Sequence, residues 1–108
     1  MKKKVEQGSK DRLYVLIDET LDPIYGCVQG GHAIAQYMLD NKYSGQAWKN
    51  DYLIFLSCDV EFWKSKLERK RKKFSTFCEP DLGGRLTAIS IKDNGRMFRN
   101  LGLIHCGS

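Results

Sequence analysis

The strongest constraint in this sequence is a pair of uninterrupted apolar runs. The first is LYVLID at residues 13–18, and the second is the centre of DYLIFLSCD at residues 51–59. A half-exposed strand would alternate polar and apolar residues, so runs of this kind suit strands covered on both faces. Between them, residues 27–41 carry a helical period. Two covered strands joined through a helix form a right-handed parallel βαβ unit. A second helix is expected in VEFWKSKLERKRKKF, with Asp59 as its N-cap and Val60, Phe62, Trp63 and Leu67 as its apolar stripe. FSTFCEP then reads as a third strand, DLGG as a turn and RLTAISI as a fourth strand. The last two strands either pair antiparallel or leave the third at an edge. DNGRMFRNLGLI reads as a polar turn and a short amphipathic stretch. The expected architecture is α/β: a three-layer α/β/α domain around a small four-stranded mixed sheet.

The first helix contains VQGGHAIAQYM, and its glycines need a reason. Each interior glycine costs about 1 kcal/mol against alanine. At about 100° per residue, Val28, Ala35 and Leu39 share one side, widened by Gly31, Ile34 and Met38. That is the apolar stripe expected of a helix on a sheet. Gln29 and Gln36 fall on the opposite flank as solvent-facing or site-lining residues, and His32 lies at the boundary. The preceding ETLDPIYG reads as a loop punctuated by Pro23 and Gly26. Gly30 and Gly31 either let the helix pack closely on the sheet or let a ligand reach the backbone. His32 is either a boundary histidine bonded to backbone or a ligand-facing group.

With 108 residues, the chain is expected to form one domain over 12–108 behind a basic tail at 1–11, which lacks the apolar segment of a signal peptide. No apolar stretch approaches the roughly 20 residues of a membrane helix. Cys27, Cys58, Cys78 and Cys106 are dispersed without a CxxC pair. That spacing suits neither zinc nor a disulfide framework, and it fits thiols in a reducing cytoplasm. No metal or other cofactor is expected. The net charge of +5 permits an anionic partner such as RNA, and a homodimer is compatible with the chain. The densest basic run, KSKLERKRKK, places Lys70, Arg71 and Lys72 at the end of the second helix. It is either a phosphate footprint or a solvated helix terminus. Trp48 and Trp63 have rings able to stack on bases, although Trp63 also belongs to the apolar stripe.

In order and motif the chain resembles the type 2 (archaeal and eukaryotic) peptidyl-tRNA hydrolases. The resemblance starts with LYVLID leading into QGGHAIAQY, where Gln29, His32 and Ala33 match a QxxHA core. It continues through DYLIFLSCD and its helix to FCEPDLGGRLTAISI, where an acidic turn enters a strand opening TAI. It spans about residues 12–92. DPIYG stands where the family carries a lysine-rich loop, with Pro23 and Tyr25 in the place of lysines. The turn EPDLGGR is shorter than the family's, and it holds no clear counterpart of the family's site threonine.

The resemblance implies a cytoplasmic enzyme of translation that cuts the ester between a peptide and tRNA. It implies His32 as the base and Glu79 or Asp81 as the acidic residue orienting it. Gln29, Gly30, Gly31 and Tyr25 would line the substrate site, with Lys70, Arg71 and Lys72 on the RNA. Such a cleavage needs a base for water, donors for an oxyanion and cations for RNA. A place near a helix N-terminus would keep His32 neutral, and loose amides at Gly30 and Gly31 would meet the oxyanion. The EPD turn is otherwise a structural turn set by Pro80. The alternative on the same fold is a non-catalytic module that binds RNA or protein.

Overall fold

Leu13, Val15, Leu16 and Ile17 of strand β1 (Arg12–Asp18) are wholly or almost wholly buried, as the first apolar run requires. The computed structural model describes residues 11–103. The expected N-terminal tail falls outside them except for Asp11, and Cys106 lies outside as well. Helix α1 (Pro23–Asp40) leads from β1 to β2 (Tyr52–Cys58), which pairs parallel with β1. This is the expected βαβ unit. Helix α2 (Val60–Arg69) leads on to β3 (Ser75–Glu79), followed by β4 (Arg85–Lys92) and β5 (Gly102–Leu103). The mixed sheet runs β3-β4-β1-β2-β5. The third strand is both antiparallel to the fourth and at an edge, so the two alternatives hold together.

The sheet has five strands where the sequence suggests four. The addition, β5, contributes only Gly102 and Leu103, opposite Ser57 and Leu56. Two residues are too short to carry a period, and the pairing depends on β2 offering an open edge.

Alternate residues of β1 serve two cores. Leu13, Val15 and Ile17 pack with Ala33 and Tyr37 of α1 and Ala88 of β4. Leu16 packs with Val60, Trp63 and Leu67 of α2 and with Ile89 and Ile91 of β4. Asp59 caps α2 as expected, accepting from the Glu61 and Phe62 amides. Phe62 leaves the predicted stripe and is exposed. The second apolar run is less covered than its composition suggests. Tyr52 and Leu53 are exposed because β5 reaches only the far half of β2. Both tryptophans are buried, and Trp48 donates its indole N–H to the Asp11 carbonyl. Neither ring is open for stacking on a base.

Helix α1 departs furthest from expectation. It begins at Pro23, four residues before the predicted start, because Asp22 caps it through the amides of Ile24 and Tyr25. Proline at the first helical position loses no hydrogen bond, so the Asp-Pro pair opens a helix here instead of a loop. The buried face is also the reverse of the predicted stripe. Gly26, Gln29, Gly30, Ala33 and Tyr37 face the sheet, while Ile24, Val28, Gly31, Ala35 and Leu39 face outward. Close approach explains two of the glycines. A Cβ on Gly26 would lie 2.6 Å from Ile17 Cγ2, and one on Gly30 would lie 2.8 Å from Ile17 Cδ1 and 2.9 Å from Phe55 Cε2. A Cβ on Gly31 would meet nothing within 4 Å.

These positions respond in opposite directions to alanine. Gly26→Ala and Gly30→Ala are each expected to lose about 1–3 kcal/mol through overpacking, the first against the Ile17 branch and the second against the Ile17 terminus and the Phe55 ring. Gly31→Ala is expected to gain about 0.5–1 kcal/mol from helix propensity alone. Urea denaturation of the three variants measures this. Equal effects at all three would contradict the close approach.

Candidate functional site

The chain brings the carboxyl ends of β1, β2 and β3 to one end of the sheet. There β1 turns into α1, with β2 on one side of it and β4 and β3 on the other. Open α/β sheets bind ligands at such a divergence. A β-bulge completes the local geometry. Phe77 pairs with Ala88 and Cys78 with Leu86, so Thr87 is the extra residue. It turns toward α1, while Leu86 joins the core beside α2.

At this end Gln29 reaches down from α1 between β3 and β4. It is 1% exposed, so its amide needs partners at both ends. The Thr87 hydroxyl donates to Gln29 Oε1 at 2.6 Å, and Gln29 Nε2 donates to Glu79 Oε1 at 2.8 Å. The Asp81 amide donates to the other Glu79 oxygen at 3.1 Å, capping the short 3-10 turn Pro80–Leu82. Glu79 therefore sits below the ordinary glutamate pKa. Donation by Gln29 is the main cause and the Asp81 amide adds to it; partial burial opposes the shift, and the charge of His32 adds slightly. Gln29 is buried, so of its two readings, solvent-facing or site-lining, the first is excluded. Thr87 carries no sequence signal for this role, because it lies in the strand after the turn and only the bulge aims it at α1.

His32 lies one helical turn beyond Gln29 on the β3 side. Its ring stacks on Phe77 with centroids 4.4 Å apart and planes 10° apart. The ring is exposed, and among the described residues it hydrogen-bonds neither Glu79 nor Asp81. Glu79 acts on it through the electrostatic field, and Asp81 contributes its backbone amide to Glu79. Because α1 starts at Pro23, His32 stands in mid-helix, beyond the reach of the terminal dipole. The amides of Gly30 and Gly31 likewise belong to the helix interior. They are not the loose oxyanion donors that a later helix start would have made them.

Other groups at this end do supply donors. Tyr25 lies one turn before Gln29 on the same flank. Desolvation, then Glu79 and Asp81, raise its phenol pKa against the opposing charge of Arg85, so it keeps its proton. Arg85 binds Asp18 and Thr20, and the Thr20 hydroxyl also donates to Asp18. The Val60 amide donates to the second Asp18 oxygen. Burial would raise the Asp18 carboxyl, but Thr20, Val60 and Arg85 together hold it below its ordinary value. Cys58, next to this network, is inert: burial first, then Glu19, Asp18 and Asp59, push its thiol up to about 12.

The predicted RNA contacts lie elsewhere. Lys70, Arg71 and Lys72 follow the C-terminus of α2, and Lys72 pairs with Asp93 beyond the end of β4. That is the amino-terminal end of β1, since Lys92 pairs with Leu13. A seven-residue strand separates the two ends, about 20 Å. The structure thus brings Tyr25, Gln29, His32, Glu79 and the Asp81 backbone together. It leaves Lys70, Arg71 and Lys72 apart from them. A comparison with known protein families finds no match, and one with curated proteins finds none either.

The Asp18 network has a pH signature. A carboxyl held below its ordinary pKa in the fold contributes stability that is full above the ordinary value and lost as pH falls through the folded one. Asp18→Asn is therefore expected to cost about 1–2 kcal/mol at pH 7 and progressively less below about pH 4. Urea midpoints between pH 7 and about 2.5 measure the gap. A gap that stays constant would contradict the assignment.

Proposed function

We propose that the end of the sheet around His32 and Glu79 hydrolyses an acyl ester, with peptidyl-tRNA as the substrate class. The observation that carries this reading is the convergence of His32 with the buried Gln29–Glu79 pair. These are the residues that the resemblance to type 2 peptidyl-tRNA hydrolases marks out. Support also comes from two core clusters on alternate residues of β1, which fit the α/β/α layering of that family.

In this mechanism the exposed imidazole of His32 takes a proton from water as the oxygen attacks the ester carbonyl. Stacking on Phe77 holds the ring plane, and the ionised Glu79 stabilises the imidazolium that forms. The Tyr25 hydroxyl and the remaining N–H groups of Arg85 supply donors to the oxyanion. The imidazolium returns its proton to the departing ribose hydroxyl. Gln29 holds Glu79 as an acceptor and does not touch the reacting atoms.

Charge layout favours a second reading for the basic run. Glu19, Asp22, Asp59, Glu61 and Asp81 are exposed at the His32 end, so RNA phosphates are not drawn there by charge. Lys70, Arg71 and Lys72 stand at the other end. A nucleic-acid-binding role without ester cleavage would use that end alone.

Purified protein is expected to turn over peptidyl-tRNA. His32→Ala should lower kcat/KM by about 10²–10⁴, and Tyr25→Phe should lower it by about 10-fold or more. Substrate left intact at micromolar protein sinks the hydrolase reading. Reversing Lys70, Arg71 and Lys72 to glutamate should weaken RNA binding and reduce its salt slope by roughly 3. RNA binding without turnover, abolished by this reversal, would establish the second reading instead.

A further inference from the structure

A cavity lies where the two parallel strands part. β1 and β2 run side by side, and their carboxyl ends lead to helices on opposite faces of the sheet. Helix α1 packs with Leu13, Val15 and Ile17, and α2 packs with Leu16. The crevice at such a switch point is where α/β sheets bind ligands. Here it encloses about 320 Å³, at the small end of the range for ligand sites. Ile17, Leu21 and Pro23 give it apolar walls, and Asp18, Glu19 and Ser57 give it polar ones. It opens on the β2 side of β1, whereas His32 stacks on Phe77 of β3, on the other side.

Anions are the usual guests of such a crevice, because the amides of helix N-termini converge on it. In this chain its own carboxylates have taken those amides. Asp22 accepts from the Ile24 and Tyr25 amides of α1, and Pro23 has no amide to offer. Asp59 accepts from the Glu61 and Phe62 amides of α2, and Asp18 accepts from the Val60 amide. No lysine or arginine lines the cavity, and Arg85 is held on Asp18 and Thr20. Among the described residues, the exposed Glu19 carboxylate forms no hydrogen bond or ion pair, and the half-buried Ser57 hydroxyl has no partner. The Cys58 thiol registers the surplus of negative charge: beyond the effect of burial, Glu19, Asp18 and Asp59 each push it up.

We propose that this crevice binds a small organic cation, an ammonium group on a short apolar body. The ammonium pairs with Glu19 and donates to the Ser57 hydroxyl, and the apolar body lies against Ile17, Leu21 and Pro23. An anion of the same shape finds carboxylates where it needs donors. A neutral molecule of the same shape leaves the Glu19 charge unanswered. The site is independent of ester cleavage at His32, since it uses neither that residue nor Glu79.

Probes that share one apolar body and differ in charge test this: phenethylamine as its ammonium ion, phenethyl alcohol and hydrocinnamate. Backbone amide NMR shifts of the full chain follow each titration at neutral pH. The ammonium is expected to shift the amides of Glu19, Leu21 and Ser57 with a Kd of about 1 mM or below. The alcohol should bind about 10-fold more weakly, and hydrocinnamate should not bind. Glu19 meets the rest of the fold through its backbone amide, which donates to the Cys58 carbonyl at 2.8 Å, so Glu19→Lys keeps the fold. It should weaken the ammonium about 10-fold or more. Ser57→Leu, which fills the cavity, should abolish binding, and Glu19→Lys carries the test if that variant does not fold. Equal binding of the three probes overturns the proposal, as does an ammonium affinity that Glu19→Lys leaves unchanged. So do shifts centred on His32 and Phe77, or no shift at about 10 mM ammonium.

Discussion

The buried amide of Gln29 orients α1 and Glu79 at the carboxyl end of the parallel strands. An amide out of water must fill its acceptor and donor ends or lose the solvation it gave up. Thr87 fills the acceptor and Glu79 the donor, so the amide has one orientation. Glu79 must be an acceptor at that oxygen, and the same contact keeps it ionised. The pair also fixes the rotation of α1 about its axis. With Gln29 toward β3 and β4, Gly26 and Gly30 fall against Ile17 and Phe55. Tyr25 and His32 come to the β3 flank, and Ile24, Val28 and Leu39 are left outward. The Ser90 hydroxyl on the Ala33 carbonyl and the Ser75 hydroxyl on Asp40 continue this polar seam along the helix.

Much of the fold was legible in the sequence because β1 is covered on both faces and says so with an unbroken apolar run. The face of α1 was not legible, and the reason is physical. Its buried side is made of glycine, alanine and glutamine, which hydrophobicity ranks low, and its open side is made of isoleucine, valine and leucine. Periodicity finds both stripes but does not tell which one the sheet takes. What decides is close approach, which only the position of Ile17 reveals. The helix start was hidden because Asp-Pro serves equally as a turn and as a cap followed by a first helical residue.

At the candidate site, a short motif and an acidic turn single out His32, Gln29 and Glu79, and the structure joins Gln29 to Glu79. Thr87 was not legible, because a bulge in β4 aims it at the helix, and a bulge leaves no mark in composition. The Asp18–Arg85–Thr20 network joins residues more than sixty positions apart, and its only sign was an aspartate closing an apolar strand. Charge is also divided by the topology. Acids gather on the connections at the carboxyl end of the parallel strands, and the basic run follows α2 to the opposite end. The basic run therefore stands about 20 Å from the histidine, at the other end of a seven-residue strand.

Gln29 holds Glu79 as an ionised acceptor beside His32. Following the Glu79 carboxyl carbon by NMR through an acid titration tests it most directly. The native chain is expected to show a midpoint below the ordinary glutamate value of about 4.3, and Gln29→Met to move it clearly upward. A native midpoint at or above the ordinary value, or one that Gln29→Met leaves in place, would contradict it.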